Sequence, residues 1–172
     1  HLVSTDYYHV FTSDDVIGVE TCAAIKNIFS MAIGASQGLC HLSASKKIKE
    51  ENYLNTAAAL MQESIYEMII FTEKLKGKKE TVMGLAGIGD LYVSADGGRN
   101  SKMGMYLGQG MTFKEAKKTK MPNDTVEGAD LALEIGKKVK SDFDNKTLPL
   151  MTSMINTICD ETPLKVDWKN FK

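Results

Sequence analysis

Between positions 16 and 39 the chain is apolar on nearly every side of a helical projection and contains no proline, with Asp14 or Asp15 placed to cap the first turn. A helix without a polar face packs on all sides, so this stretch predicts a central buried helix. Its length would also suit a membrane span. Glu20, Lys26, Asn27 and Gln37 interrupt it, however, and such residues are costly in hydrocarbon, so membrane insertion is not expected. Residues 41–51 are polar and lysine-bearing, which predicts an exposed loop. In residues 55–75, Ala58, Met61, Ile65, Met68 and Ile69 recur at helical spacing and predict a second long helix with one core-facing stripe.

Gly77 and its neighbouring lysines mark a turn. Residues 81–94 place Gly84, Gly87 and Gly89 among apolar residues, which predicts two short helices joined tightly. A loop follows at Asp96, Gly97, Gly98, Arg99 and Asn100, then a short helix over 101–107 that Gly108 and Gly110 end. Thr112 with Glu115 three residues later is the capping-box pattern of a small surface helix over 112–118, which Pro122 breaks. Helices over 126–139 and 148–158 complete the set, and the tail 163–172 has little pattern beyond Trp168 and Phe171. The one exception to an all-α reading is Tyr7 to Phe11, an aromatic and β-branched run that predicts a short strand.

A length of 172 residues, 43% of them hydrophobic, allows one ordinary domain with a proper core. The formal charge of −1 offers no basic excess, so no nucleic-acid partner is expected. Cys22, Cys40 and Cys159 are far apart and form no CxxC pair, which fits reduced thiols in a cytoplasmic protein. His1, His9 and His41 never fall at the i,i+4 spacing of two ligands on one helix face, and no metal site is expected.

Three positions suggest chemistry. Lys26 and Asn27 sit in the most apolar helix of the chain, where an unpartnered ammonium is costly; a lysine so placed can exchange a proton with a substrate oxygen. The bland alternative is that Lys26 reaches solvent or pairs with Glu20 or Asp90 as a structural ion pair. Arg99, the single arginine among 21 basic residues, lies between Gly98 and Asn100. A guanidinium fork binds phosphate or carboxylate through two parallel hydrogen bonds, and adjacent glycines let backbone approach the same anion. Finally, the run from Gly84 to Asp90 is GxxGxG within a helical stretch, not the GxGxxG of a nucleotide-binding turn. A tight helix-helix turn that aims Asp90 accounts for it better, with Ser94 on the same helix face four residues later.

The elements Asp15-Val-Ile-Gly-Val-Glu20, Ala24-Ile-Lys26-Asn27, Gly84-Leu-Ala-Gly-Ile-Gly-Asp90, Gly97-Gly-Arg99-Asn100 and Val126-Glu127-Gly128 occur in an order that resembles the C-terminal domain of the NAD(P)-dependent glycerol-3-phosphate dehydrogenases. The resemblance runs from about residue 9 to 139. It implies a multi-helix substrate-binding domain of the 6-phosphogluconate dehydrogenase C-terminal type, comprising residues 14–172, with residues 1–13 the tail end of a preceding Rossmann domain and the strand its residue. It further implies interconversion of sn-glycerol 3-phosphate and dihydroxyacetone phosphate, NAD or NADP bound mainly by that other domain, and a homodimer. By position Lys26 corresponds to the catalytic acid/base. Asn27, Asp90, Ser94, Gly98, Arg99 and Asn100 correspond to substrate-binding positions, with Arg99 and Glu127 also on the cofactor side.

Some residues depart from the family pattern. Cys22 and Ala23 replace glycine near the reacting centre, Ser94 stands where threonine is common, Gln62-Glu63-Ser64 replaces an arginine-glycine pair, and 46–51 resembles an insertion. Alone, such a fragment is expected to be inactive. The rivals are another dehydrogenase of the same superfamily, or a helical binding or dimerisation module in which Lys26 and Arg99 make only structural ion pairs. The dehydrogenase reading predicts Lys26, Asp90 and Arg99 converging on a phosphate-sized pocket.

Overall fold

A computed structural model describes residues 3–43 and 53–172. Its helices are α1 (Val16–Ser43), α2 (Leu54–Lys74), α3 (Lys79–Val82), α4 (Asp90–Ala95), α5 (Arg99–Gly108), α6 (Phe113–Thr119), α7 (Glu127–Asp142) and α8 (Pro149–Cys159). A π-turn, Leu85–Gly89, leads into α4, and a 3-10 turn forms at Trp168–Asn170. Residues 41–43 of the predicted loop belong instead to α1, which continues to Ser43, and 44–51 lie outside the described residues.

Helix α1 is the axis of the fold. Its Ile25, Ile28, Phe29, Met31 and Ala35 are fully or almost fully buried, and α2, α4, α5, α7 and α8 all pack on it. The membrane-length stretch Val16–Cys40 is thus more than half buried among the other helices. Asp15 starts this helix by accepting from the Gly18 N–H at 3.0 Å, and it also accepts from the Lys78 N–H at 2.8 Å and the Thr81 hydroxyl at 2.5 Å. These donors, that of Thr81 foremost, hold its carboxyl below the usual range. One side chain therefore caps α1 and fastens α3 to it.

Helices α1 and α5 meet backbone to backbone. A β-carbon on Gly34 would lie 2.2 Å from the Ser101 carbonyl oxygen, on Gly38 2.1 Å from that of Met105, on Gly104 1.8 Å from that of Met31, and on Gly108 2.2 Å from that of Ala35. Each helix contributes glycines four apart, the spacing that places them along one face and permits so close an approach. Gly128 does the same for α7 against the Asn27 carbonyl, where a β-carbon would stand at 2.4 Å.

Two expectations are corrected. Tyr7 to Phe11 forms no strand, and no strand occurs among the described residues; Thr5 and Tyr8 instead close a local turn, with the Thr5 N–H donating to the Tyr8 carbonyl and the Tyr8 N–H to the Thr5 hydroxyl. A strand needs a neighbouring ladder to satisfy its backbone, and none stands beside this segment. The buried face of α2 is also rotated from the predicted stripe. It consists of Leu60, Glu63, Ser64, Glu67, Met68, Phe71 and Thr72, while Met61, Ile65 and Ile69 are half-buried and Ala58 is exposed.

The reason is polar. The Glu67 carboxylate accepts from the Leu150 and Met151 N–H groups at 2.5 and 2.8 Å, capping α8 from a different helix. Burial pushes this carboxyl up to about 8 from 4.5, aided by Glu63 and opposed by the two backbone donors. An acid raised on folding binds more protons in the native state, so its stabilisation is full below the unfolded value and is lost as pH rises through about 8. The melting temperature is therefore expected to fall from the acidic to the alkaline end of that window. Glu67→Gln should flatten the profile in thermal melts, and an equally steep profile in that variant would assign the effect to other groups.

The small surface helix is as predicted. Thr112 caps α6 by accepting from the Glu115 N–H at 3.3 Å.

Candidate active site

Lys26 lies about one turn before the middle of α1, with its side chain 19% exposed, and its Nζ donates to Asp90 Oδ2 at 2.5 Å. Asp90 reaches it because the π-turn starts α4 beside α1, and that turn is compact only because Gly87 is bare: a β-carbon there would meet the Val82 carbonyl oxygen at 2.0 Å. Ser94 follows one turn on in α4 and is half-buried. The ion pair weighed as a structural alternative thus exists, and it joins two of the positions singled out as candidates.

A second set adjoins the first. Asn100 Nδ2 donates to Asn27 Oδ1 at 3.1 Å and to Glu127 Oε2 at 3.4 Å, while Asn100 Oδ1 accepts from the Gly128 N–H at 2.9 Å. Arg99 Nη2 pairs with Glu127 Oε1. Arg99 and Asn100 open α5 and Glu127 opens α7, so two helix N-termini meet α1 at Asn27. Gly98 is the residue before α5, in extended conformation and exposed, and no side chain caps that helix. The first N–H groups of α5 are therefore left without a side-chain cap, a favourable place for an anion.

Seven of the eight residues predicted from sequence are linked by hydrogen bonds or chain adjacency into one band: Lys26 with Asp90, and Asn27 with Asn100, Glu127, Arg99 and Gly98. Ser94 is reached only through its place on α4. The band is open rather than enclosed. Asp90, Arg99 and Glu127 are 37%, 54% and 40% exposed, and other parts of the described residues hold cavities. One of 1320 Å³ runs between residues 8–20 and 78–86; another of 370 Å³ separates α1 and α7 beside Phe143. Among the described residues no group of three His, Cys, Asp or Glu side chains is placed to hold a metal ion. Cys22, one turn before Lys26, is buried in the core, and burial pushes its thiol up.

Sequence reasoning missed the role of Asn100 as the hub of the band. It also missed Glu63 and Glu67, and the glycine seam that sets α5 against α1, for which the spacing of Gly34 with Gly38 and Gly104 with Gly108 was an available signal.

Comparison with known proteins shows which family the chain resembles. Residues 15–167 match the family described as NAD-dependent glycerol-3-phosphate dehydrogenase C-terminus. The glycerol-3-phosphate dehydrogenase [NAD(P)+] of Clostridium tetani is 40% identical over 118 residues, covering 67% of this chain and 31% of that protein. Its counterpart in Agathobacter rectalis is 32% identical over 167 residues, 95% of this chain and 45% of that protein. The chain therefore spans less than half the length of the curated relatives it matches. The crystal structure of glycerol-3-phosphate dehydrogenase from Coxiella burnetii superposes with a TM-score of 0.73 at 29% identity, covering 93% of this chain and 45% of that one. That from Plasmodium falciparum gives 0.72 at 20% identity, with 98% and 45% covered, and speaks to the fold alone. With the matched segment extending over most of its helices, this all-α chain belongs to the C-terminal domain family of the NAD-dependent glycerol-3-phosphate dehydrogenases.

Proposed function

We propose that this chain is the substrate-binding and catalytic half of an enzyme that interconverts sn-glycerol 3-phosphate and dihydroxyacetone phosphate. The observation that carries the reading is the contact of Lys26 with Asp90 on the same band as Arg99. In the reducing direction Lys26 Nζ gives a proton to the substrate carbonyl oxygen as the adjoining carbon receives hydride, and in the oxidising direction it takes the hydroxyl proton back. Asp90 accepts from Lys26 and aims it. Arg99 and the open N-terminus of α5 hold the phosphate.

NAD or NADP, when bound, supplies or removes the hydride. Arg99 and Glu127 fit the edge of such a cofactor, being half-exposed donor and acceptor on the open side of the band. In this reading residues 14–172 form the helical half. Residues 1–13 belong with a preceding nucleotide-binding domain, which supplies most of the cofactor site and a further substrate contact. The exposed Tyr7, Tyr8 and Phe11 and the limited share of the relatives that is spanned both support that division. Homodimerisation in the cytoplasm completes the proposal.

The test is NADH oxidation by the complete polypeptide with dihydroxyacetone phosphate. Wild type is expected to turn over. Arg99→Ala is expected to raise KM for the phosphate substrate by about 10- to 100-fold with a smaller change in kcat, the loss of a charge-assisted contact made in ground and transition states alike. An inactive wild type would favour the binding-module reading.

A further inference from the structure

Resting on the reading of Arg99 as the phosphate site, we infer that Glu127 is an internal stand-in for the substrate anion, which occupies the guanidinium while the site is empty and is displaced by phosphate. Its carboxylate spans the first two residues of α5, Oε1 receiving Arg99 and Oε2 receiving the Asn100 amide. This is the hold that an incoming phosphate would take over on the guanidinium.

The exchange is easy from both sides. Glu127 is the first residue of the 16-residue α7, where the helix dipole favours a carboxylate with or without Arg99. At 40% exposure it can also be taken up by water. Arg99, at 54% exposure, can turn its free edge outward without leaving a buried charge behind. A phosphate carries more charge than the carboxylate and takes two parallel hydrogen bonds from the fork, so it wins the competition. Asn100 does not move with the exchange, because its Oδ1 is committed to the Gly128 N–H and its Nδ2 also to Asn27. Glu127 is thus a positioning residue: it keeps Arg99 aimed across the open face and lowers the affinity for every phosphorylated ligand.

The test uses the complete polypeptide and inorganic phosphate as an inhibitor of dihydroxyacetone phosphate reduction. Glu127→Gln keeps an acceptor for Asn100 and removes the charge, and Glu127→Ala removes both. In each variant the inhibition constant for phosphate is expected to fall by about two- to fivefold at low ionic strength, the worth of an exposed ion pair. The difference from wild type should shrink when salt is raised to about 0.5 M. A purely structural or cofactor-side role for Glu127 would not tighten phosphate binding. An unchanged or weaker inhibition constant, in a wild type that turns over, would overturn the inference alone. A wild type without turnover would overturn the dehydrogenase reading and this inference with it.

Discussion

Replacing Lys26 with alanine in the complete polypeptide is expected to lower kcat for dihydroxyacetone phosphate reduction by about 10²- to 10⁴-fold, the usual contribution of a positioned proton donor. The Nζ is held by Asp90 at 2.5 Å, and its side chain is only 19% exposed, so bulk water is a poor substitute at that spot. The loss should fall mainly on kcat, since the phosphate is held by Arg99 and the α5 terminus rather than by the lysine. Lys26→Ala also leaves the half-exposed Asp90 free to be hydrated, so the fold should survive and steady-state kinetics should report chemistry. A kcat within about threefold of wild type would remove Lys26 from the proton path.

The largest expected effect on stability comes from Gly104→Ala. The added carbon would stand 1.8 Å from the Met31 carbonyl oxygen and 3.0 Å from the Ala35 nitrogen. Both are main-chain atoms of α1, so no side chain can swing away and the two helices must part. Overpacking of this kind costs about 3 kcal/mol or more, which lowers Tm by roughly 6–12 °C in a domain of this size. Gly84→Ala is the control, since a β-carbon there meets nothing closer than 3.4 Å. If Gly104→Ala melted with wild type, the close crossing of α1 and α5 would be wrong.

Much of this was legible in the sequence because it rests on contrasts within short windows. Lys26 and Asn27 stood out against an otherwise apolar helix, and a single arginine between glycine and asparagine stood out against twenty lysines. The long helix that is apolar all round became the axis of the fold for the reason given by its pattern. What was not legible depends on partners far along the chain. Glu63 and Glu67 lie off the predicted stripe of α2, and a hydrophobic stripe cannot show that Glu67 will cap a helix more than 80 residues later. The strand at Tyr7 to Phe11 was read from residue type, yet a strand is a property of two segments. The hub role of Asn100 likewise required knowing that α7 would bring the Gly128 N–H to it.

The bare crossing of α1 and α5 has a further consequence. Lys26 projects from one of these helices and Arg99 begins the other, and main-chain atoms meet directly at four points along their crossing. The distance between the points from which proton donor and phosphate clamp project is therefore a gauge cut largely in backbone. Under the proposed activity, such a gauge discriminates among phosphorylated ketones by chain length. Adding one carbon between carbonyl and phosphate would cost turnover even where every polar contact could still be made.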